Sequence, residues 1–193
     1  MVKQALFKEE LEIPEGVQVK LGENHYIEIE GPNGSVSKDF SHIRGISIQK
    51  EKNKLVFKAH FPKGSTVALA NTVINIIKNL LKGITTNYQY VSKVCYSHFP
   101  CSVEADPQKK EIRVINFLGE RAPRTVKYDP KKLEVEVKGE DVHLIGPDKE
   151  VLGQTAANIK KICRIRKKDP RIYQDGVYLY KILHGDQVLW EIR

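Results

Sequence analysis

Residues 65–81 read Ser-Thr-Val-Ala-Leu-Ala-Asn-Thr-Val-Ile-Asn-Ile-Ile-Lys-Asn-Leu-Leu. Apolar residues recur here at steps of three and four, which places them on one face of a helix. These apolar positions are Val67, Ala70, Val73, Ile74, Ile77, Leu80 and Leu81. Ser65 or Thr66 could cap the start of the helix, and Gly83 could end it. The pattern predicts an amphipathic helix that buries one face in a hydrophobic core.

The residues before this helix show the two-residue period of half-buried β-strands. The predicted strands span residues 17–21, 26–30, 35–40, 46–50 and 55–59, after an initial strand and turn within residues 1–16. The tight turn Gly31-Pro-Asn-Gly34 separates the second of these strands from the third. Short alternating runs joined by Gly- and Asn-containing turns predict an antiparallel meander with one buried face.

The same succession of strands and helix recurs in the second half of the chain. Equivalent residues 85 positions apart are Ile27 and Ile112, Ile29 and Val114, Gly34 and Gly119, Ile48 and Leu133, Pro62 and Pro147, Ile74 and Ile159, and Ile77 and Ile162. Further strands are predicted at residues 88–96, 102–105, 111–116, 121–128, 133–138 and 142–146, and a helix capped by Asp148 runs to about residue 165. The alternating tail from residue 178 could add a final strand.

An internal repeat of this kind predicts an α+β fold, a tandem duplication of a small antiparallel sheet with one helix packed on one face. We assign the first copy to residues 1–97 and the second to residues 98–193, with a junction around residues 91–100. Each copy is close to the lower size limit for a stable domain.

Composition and charge limit the class of protein. Apolar residues make up 40% of the 193-residue chain, enough for a packed core, and the net charge of +8 favours a polyanionic partner. No apolar run approaches the ~20 residues of a membrane span, and the N-terminal residues lack a signal-peptide pattern. Cys95, Cys101 and Cys163 lack zinc-ligand spacing and are interpreted as reduced thiols in the cytosol.

Positive charge is concentrated in residues 160–178, Lys-Lys-Ile-Cys-Arg-Ile-Arg-Lys-Lys-Asp-Pro-Arg-Ile-Tyr-Gln-Asp-Gly-Val-Tyr. Between positions 160 and 171 there is one acid, Asp169, and there are seven cations, namely Lys160, Lys161, Arg164, Arg166, Lys167, Lys168 and Arg171. The helix dipole favours cations at a helix C-terminus. Cations beside exposed rings such as Tyr173 and Tyr178 also bind phosphates and unstacked bases. The stretch is either a solvated helix end or a nucleic-acid contact.

Several loop residues have both a structural and a nucleic-acid-binding interpretation. Arg121 and Arg124 follow the turn of the second repeat and could reach phosphates or be exposed strand residues. The loop Gly31-Pro-Asn-Gly34 matches the Gly-x-x-Gly clamp of KH domains. That clamp joins two helices, whereas strands are predicted on both sides here, so a structural turn is favoured. Gly34, Gly119 and the pair Asp175-Gly176 are assigned to structural turns.

The sequence contains no arrangement of residues that indicates an enzyme. It lacks a phosphate-binding Gly-x-x-x-x-Gly-Lys-Ser/Thr loop, a His-Glu-x-x-His motif and a nucleophile elbow. The six histidines are dispersed along the chain. We therefore predict no catalytic residues, no cofactor, no metal site and no small-molecule substrate.

Five segments carry a resemblance to a known family. They are residues 31–43, 81–85, 96–100 (Tyr-Ser-His-Phe-Pro), 111–121 (including Asn-Phe-Leu-Gly-Glu) and 173–178 (Tyr-Gln-Asp-Gly-Val-Tyr). In this order they resemble the family of the eukaryotic cytosolic large-subunit ribosomal protein nine, the counterpart of bacterial large-subunit ribosomal protein six. The resemblance spans nearly the whole chain. It places Arg166, Lys167, Lys168, Asp169, Arg171, Asp175 and Gly176 in the family's C-terminal signature, in which Lys161 and Pro170 depart from the usual residues.

The resemblance implies two similar α+β domains and a structural, non-catalytic role in cytoplasmic translation. It implies binding to large-subunit ribosomal RNA near the sarcin–ricin loop, mainly through the second domain. The first domain would lie toward the base of the stalk that recruits translation factors, beside neighbouring ribosomal proteins. No membrane contact is expected. The alternatives are a free regulatory RNA-binding protein with a KH-like loop, an enzyme, and a membrane-surface protein. Trp190 could be a packing or a contact residue.

Overall fold

The computed structural model describes residues 5–169 and 171–192. Contacts between residues divide the chain into two compact units, Met1–Thr86 and Asn87–Arg193. The described part of each unit contains antiparallel strands, one α-helix and a hydrophobic core of its own. The predicted α+β duplication is therefore confirmed. The predicted initial strand is described from residue 5 onward, and Pro170 lies outside the described residues.

In its described part, the first unit has six strands and one helix. They are β1 (Leu6–Glu12), β2 (Gln18–Leu21), β3 (Tyr26–Gly31), β4 (Gly34–Asp39), β5 (Ser47–Glu51), β6 (Lys54–His60) and α1 (Gly64–Thr85). The strands form two sheets rather than one, in the orders β1-β6-β5 and β2-β3-β4. The alternation in sequence sets the buried face, because Val19, Ile27 and Ile29 lie in the core with the apolar residues of α1.

Helix α1 buries the predicted apolar stripe, but its ends differ from the prediction. The helix begins at Gly64, after an extended Lys63, and no side chain caps it, so the predicted caps Ser65 and Thr66 are wrong. The prediction that Gly83 ends the helix is also wrong. Gly83 is buried within the last turn, because Ile84 continues the apolar stripe into the core.

The length of α1 contradicts one further expectation. Its 22 residues are long and apolar enough to cross a membrane by length and composition. The apolar runs in the sequence had predicted no stretch of that length. The apolar face of α1, however, packs in the core of the first unit, which accounts for its composition.

The described part of the second unit has eight strands and one helix. They are β7 (Tyr88–Cys95), β8 (Ser102–Asp106), β9 (Glu111–Ile115), β10 (Arg124–Lys127), β11 (Glu134–Lys138), β12 (Asp141–Gly146), α2 (Lys149–Ile162), β13 (Gly176–His184) and β14 (Gln187–Glu191). The two sheets have the orders β10-β9-β8 and β11-β12-β7-β13-β14. The predicted tail strand is thus a two-stranded hairpin.

The second unit repeats the topology of the first. Strands β3 and β9, like helices α1 and α2, begin 85 residues apart. Strand β7 pairs with β12 as β1 pairs with β6, so β7 is the first strand of the second copy. The observed division after Thr86 therefore differs from the predicted boundary after residue 97. The reason is that residues 88–95 form the central strand of the five-stranded sheet.

Helix α2 is fixed at both ends. The carboxylate of Asp148 accepts a hydrogen bond from the N–H of Glu150 at 2.9 Å, so the predicted N-cap is confirmed. Leu152 and Ile159 are at most 1% exposed and pack against the sheet residues of the second core. The helix ends at Ile162, slightly before the predicted position, and Cys163 occupies the C-cap.

Candidate nucleic-acid interface

The C-terminal turn of α2 separates apolar from basic side chains. Ile159 and Cys163 are buried in the second core, whereas Lys160 and Lys161 are exposed. This division follows from the helical period, since one face of α2 packs on the sheet and the adjoining positions face solvent. Cations in this last turn also interact favourably with the helix dipole.

The residues after α2 continue the exposed positive charge. We use the name basic helix end for the seven exposed cations Lys160, Lys161, Arg164, Arg166, Lys167, Lys168 and Arg171. Asp169 serves the local backbone: its carboxylate accepts from the N–H of Arg171 at 2.9 Å, and its carbonyl accepts from the N–H of Tyr173 at 3.0 Å. The acid within the stretch is thereby used to form the turn.

At this surface, lysine side chains lie over the rings of two tyrosines. The Nζ atom of Lys168 lies 4.4 Å from the ring centroid of Tyr173, and the Nζ atom of Lys160 lies 5.8 Å from that of Tyr178. Tyr178 is 37% exposed, and the ring of His98 lies 5.9 Å from that of Tyr173. Burial is the main cause that raises the pKa of Tyr178, so its hydroxyl stays neutral at physiological pH. Cations beside partly exposed rings suit both phosphates and bases.

Two open clefts flank the basic helix end, with volumes of about 1020 and 960 Å³. Lys161, Arg164 and Lys168 line both of them. The smaller cleft adds Tyr96, Tyr173 and Tyr178, and the larger cleft adds Arg124, Arg166, Asn158 and Lys127. Tyr96 and Lys127 were not predicted for this surface, because only the folded chain places them beside α2, and Asn158 was not predicted because this residue of α2 carries no charge.

Arg124 is held by contacts within the second unit. Its Nε and Nη2 atoms donate to Glu120 at 2.8 and 2.6 Å, and Nη1 donates to the carbonyl of Ile162 at 2.5 Å. The guanidinium also lies 4.3 Å from the ring centroid of Phe117. Hydrogen bonding to Glu120 raises the pKa of Arg124, and the same bond lowers the pKa of Glu120. Arg124 thus ties the end of α2 to β10, whereas Arg121 is exposed and makes no ion pair among the described residues.

Asp175 and Gly176 are buried residues beside this surface. The buried carboxylate of Asp175 accepts from the N–H of Ser97 at 2.8 Å. Gly176 is the first residue of β13, opposite Cys95, and a Cβ atom there would lie 2.8 Å from the ring of Tyr178. Asp175 and Gly176 therefore do not form the predicted structural turn. The pair begins a strand and allows Tyr178 to lie over the backbone.

The other two assigned glycines have positive φ angles at or beside turns. Gly34 has φ of +116° as the first residue of β4, directly after the turn that follows β3, and Gly119 has φ of +78° between β9 and β10. In the first of these turns, the side chain of Asn33 donates to the carbonyl of Thr85 at 3.1 Å. Two antiparallel strands flank this loop, and Asn33 joins it to the end of α1, so the geometry contradicts a KH-like clamp.

The cysteines are free thiols with perturbed acidity. Burial raises the pKa of Cys163 to about 11 and also raises those of Cys95 and Cys101. Neutral thiols are poor metal ligands. Within residues 5–169 and 171–192, no group of three His, Cys, Asp or Glu side chains is placed to hold a metal ion.

Comparison with known proteins follows the two-unit layout. The family model described as ribosomal protein L6 matches residues 13–87 and 99–176. Proteins named large ribosomal subunit protein uL6 are similar over most of their length. That of Staphylothermus marinus is 41% identical over 93% of this chain and 97% of its own, and that of Methanobrevibacter smithii is 39% identical over 93% and 98%. The protein of Sulfurisphaera tokodaii is 41% identical over 90% and 91%. This chain belongs to the ribosomal protein L6 family.

Proposed function

We propose that the basic helix end and the adjoining tyrosines anchor this chain to large-subunit ribosomal RNA. As a member of the ribosomal protein L6 family, the chain is a structural constituent of the large ribosomal subunit, a ribosomal RNA-binding protein of translation. The family role is structural and non-catalytic, and we propose that the chain has no enzymatic activity. What remains to be assigned is the surface that contacts RNA.

The observation that carries the assignment is the uncompensated charge at the end of α2. Seven exposed cations share residues 160–171 with one acid, Asp169, whose carboxylate accepts from the backbone N–H of Arg171. Each cation that neutralises a phosphate releases a counterion from the RNA, which gives affinity without sequence readout. Such a surface recognises the shape of a folded RNA.

The tyrosines and Arg124 have separate roles in this proposal. Tyr173 and Tyr178 present partly exposed rings in the smaller cleft, where an unstacked base could lie against them. Arg124 holds the carbonyl end of α2 in place and is therefore a positioning residue. Arg121, which is exposed, extends the positive surface from the turn before β10.

The position in the subunit follows the same proposal. The second unit binds near the sarcin–ricin loop, and the first unit lies toward the base of the stalk beside other ribosomal proteins. The protein acts in cytoplasmic ribosomes. The order of the family segments along the chain and the charge of residues 160–171 support these placements.

A salt titration tests the proposal directly. The full chain and the variant Arg166→Gln/Lys168→Gln are bound to purified, protein-free large-subunit ribosomal RNA at several salt concentrations. Loss of two phosphate contacts should reduce the slope of log affinity against log salt by about two. The control Lys63→Gln/Lys78→Gln removes the same charge from exposed positions of the first unit. An unchanged slope for Arg166→Gln/Lys168→Gln would contradict the assignment.

A further inference from the structure

A second group of exposed lysines lies on two neighbouring turns of the second unit. We call this group the lysine turns; it comprises Lys109, Lys110, Lys127, Lys131 and Lys132. The turns are adjacent because the N–H of Tyr128 donates to the carbonyl of Lys110 at 2.9 Å. Lys127 also stands opposite Glu111 in the β9–β10 ladder. Residues distant in sequence thus form one basic surface.

The acids of the first turn are occupied elsewhere. Asp106 accepts from the N–H of Lys109 at 3.0 Å through Oδ1, and its Oδ2 lies 3.5 Å from Nη2 of Arg113. The carboxylate of Glu111 lies 3.9 Å from Nε of the same Arg113. These two carboxylates therefore interact with Arg113 and with backbone, rather than with the lysine side chains.

The acid of the second turn has the same local use. Oδ1 of Asp129 accepts from the N–H of Lys131 at 3.2 Å. Within the part of the chain that the structure describes, none of the five lysine side chains forms an ion pair. Lys138 on the nearby strand β11 differs, because its Nζ lies 2.6 Å from Glu136. Counting Arg113 with the five lysines against Asp106, Glu111 and Asp129, the lysine turns keep a net positive charge, and among the described residues no carboxylate holds any of the five ammonium groups.

The lysine turns continue from the basic helix end through the larger cleft. Lys127 lines that cleft together with Arg164, Arg166 and Lys168. Arg124 and Lys127 begin and end β10, about 10 Å apart at a rise of ~3.3 Å per residue, and both residues line the larger cleft. An RNA backbone that enters beside α2 can follow the cleft to Lys127 and the adjoining turns.

We infer that the lysine turns are a second phosphate-binding surface, so that the second unit binds the backbone of ribosomal RNA at two places joined by the larger cleft. This inference rests on the proposed function and adds a site that the basic run at residues 160–171 does not reveal. The charge is spread over two turns, and only the contact between them assembles it.

The experiment compares double variants of the full chain on purified, protein-free large-subunit ribosomal RNA. Lys109→Gln/Lys127→Gln alters the lysine turns, Arg166→Gln/Lys168→Gln alters the basic helix end, and Lys63→Gln/Lys78→Gln is the charge-matched control. A loss of two phosphate contacts should make the ratio of wild-type to variant affinity shrink about tenfold between ~50 and ~200 mM salt. Unchanged thermal unfolding establishes that each variant is folded.

The expected result is this reduced salt dependence for the first two variants and none for the control. If the salt dependence of Lys109→Gln/Lys127→Gln equals that of the wild type while that of Arg166→Gln/Lys168→Gln is reduced, the lysine turns are a solvated surface. The inference is then overturned, and the proposed function stands. If neither variant changes the salt dependence, the proposed function fails with it. If the control loses as much salt dependence as Lys109→Gln/Lys127→Gln, both losses follow from the lower net charge of the chain, and the inference is also overturned.

Discussion

Replacement of Arg124 by alanine should destabilise the second unit although the residue lies at its surface. The side chain donates to the carbonyl of Ile162, pairs with Glu120 through two nitrogens and lies over the ring of Phe117. The substitution removes all three interactions. It leaves the last carbonyl of α2, that of Ile162, without the cation that holds it to β10.

The size of the effect follows from these contacts. A hydrogen bond from a charged group contributes about 1.5–3 kcal/mol. The pair with Glu120 is 24% and 44% exposed, so solvent screening limits it to about 0.2–1 kcal/mol. The cation over the ring of Phe117 adds about 0.5–1 kcal/mol. We expect the free energy of unfolding to fall by about 2–4 kcal/mol, since such contributions are not strictly additive.

Denaturant unfolding followed by tryptophan fluorescence measures this change, because the chain's one tryptophan, Trp190, lies on β14 of the second unit. The matched control is Arg121→Ala, which removes an exposed arginine without an ion pair and should alter the free energy by less than about 0.5 kcal/mol. Equal unfolding midpoints for Arg124→Ala and Arg121→Ala would refute the positioning role and return Arg124 to the candidate phosphate contacts.

Three further predictions concern the core of the second unit. Gly176→Ala should lower the free energy of unfolding by about 1–3 kcal/mol, because the new Cβ would lie 2.8 Å from the ring of Tyr178. In the Tyr178→Ala background the same substitution should lower it less, and additive effects of the two substitutions in a double-mutant cycle would contradict this contact. Leu152→Ala should lower the free energy of unfolding by about 2–5 kcal/mol, whereas Leu189→Ala, at an exposed site, should lower it far less. Similar losses for the two variants would contradict the burial of Leu152 in the core. Burial raises the pKa of Cys163 from 9.0 to about 11, so the folded state retains the thiol proton longer than the unfolded state. The contribution of Cys163 to stability should be full below pH 9 and should fall as the pH rises toward 11. Cys163→Ala should remove that part of the pH dependence. Identical profiles of stability against pH for the wild type and Cys163→Ala would contradict this role of the thiol.

Local patterns in the sequence predict most of the secondary structure. The alternation around Ile27 and Ile29 sets the buried face of β3, and the same alternation at Ile112 and Val114 sets that of β9. The helical stripe and Asp148 likewise predict α2. These features depend on neighbours within a few residues, which the sequence records directly. The signal is misleading at Gly83, where burial of the adjoining turn outweighs the low helix propensity of glycine.

Features that depend on distant residues were not predictable. The sequence identifies residues 88–95 as a strand but does not reveal that it pairs with β12 and β13, so the unit boundary was placed too late. Arg124 contacts the carbonyl of Ile162, 38 positions away, and no local pattern separates it from the exposed Arg121. The lysine turns escaped notice for the same reason, since their charge is gathered by folding.

Sedimentation of cell lysate through a sucrose gradient, before and after a high-salt wash, tests the central claim most directly. The chains to compare are the wild type, Arg166→Glu/Lys168→Glu and the control Lys63→Glu/Lys78→Glu, all with unchanged thermal unfolding when purified. The account predicts that the wild type and the control remain with large subunits, while the variant of the basic helix end sediments as free protein. Retention of Arg166→Glu/Lys168→Glu on washed large subunits at the wild-type level would contradict the claim that this surface anchors the chain.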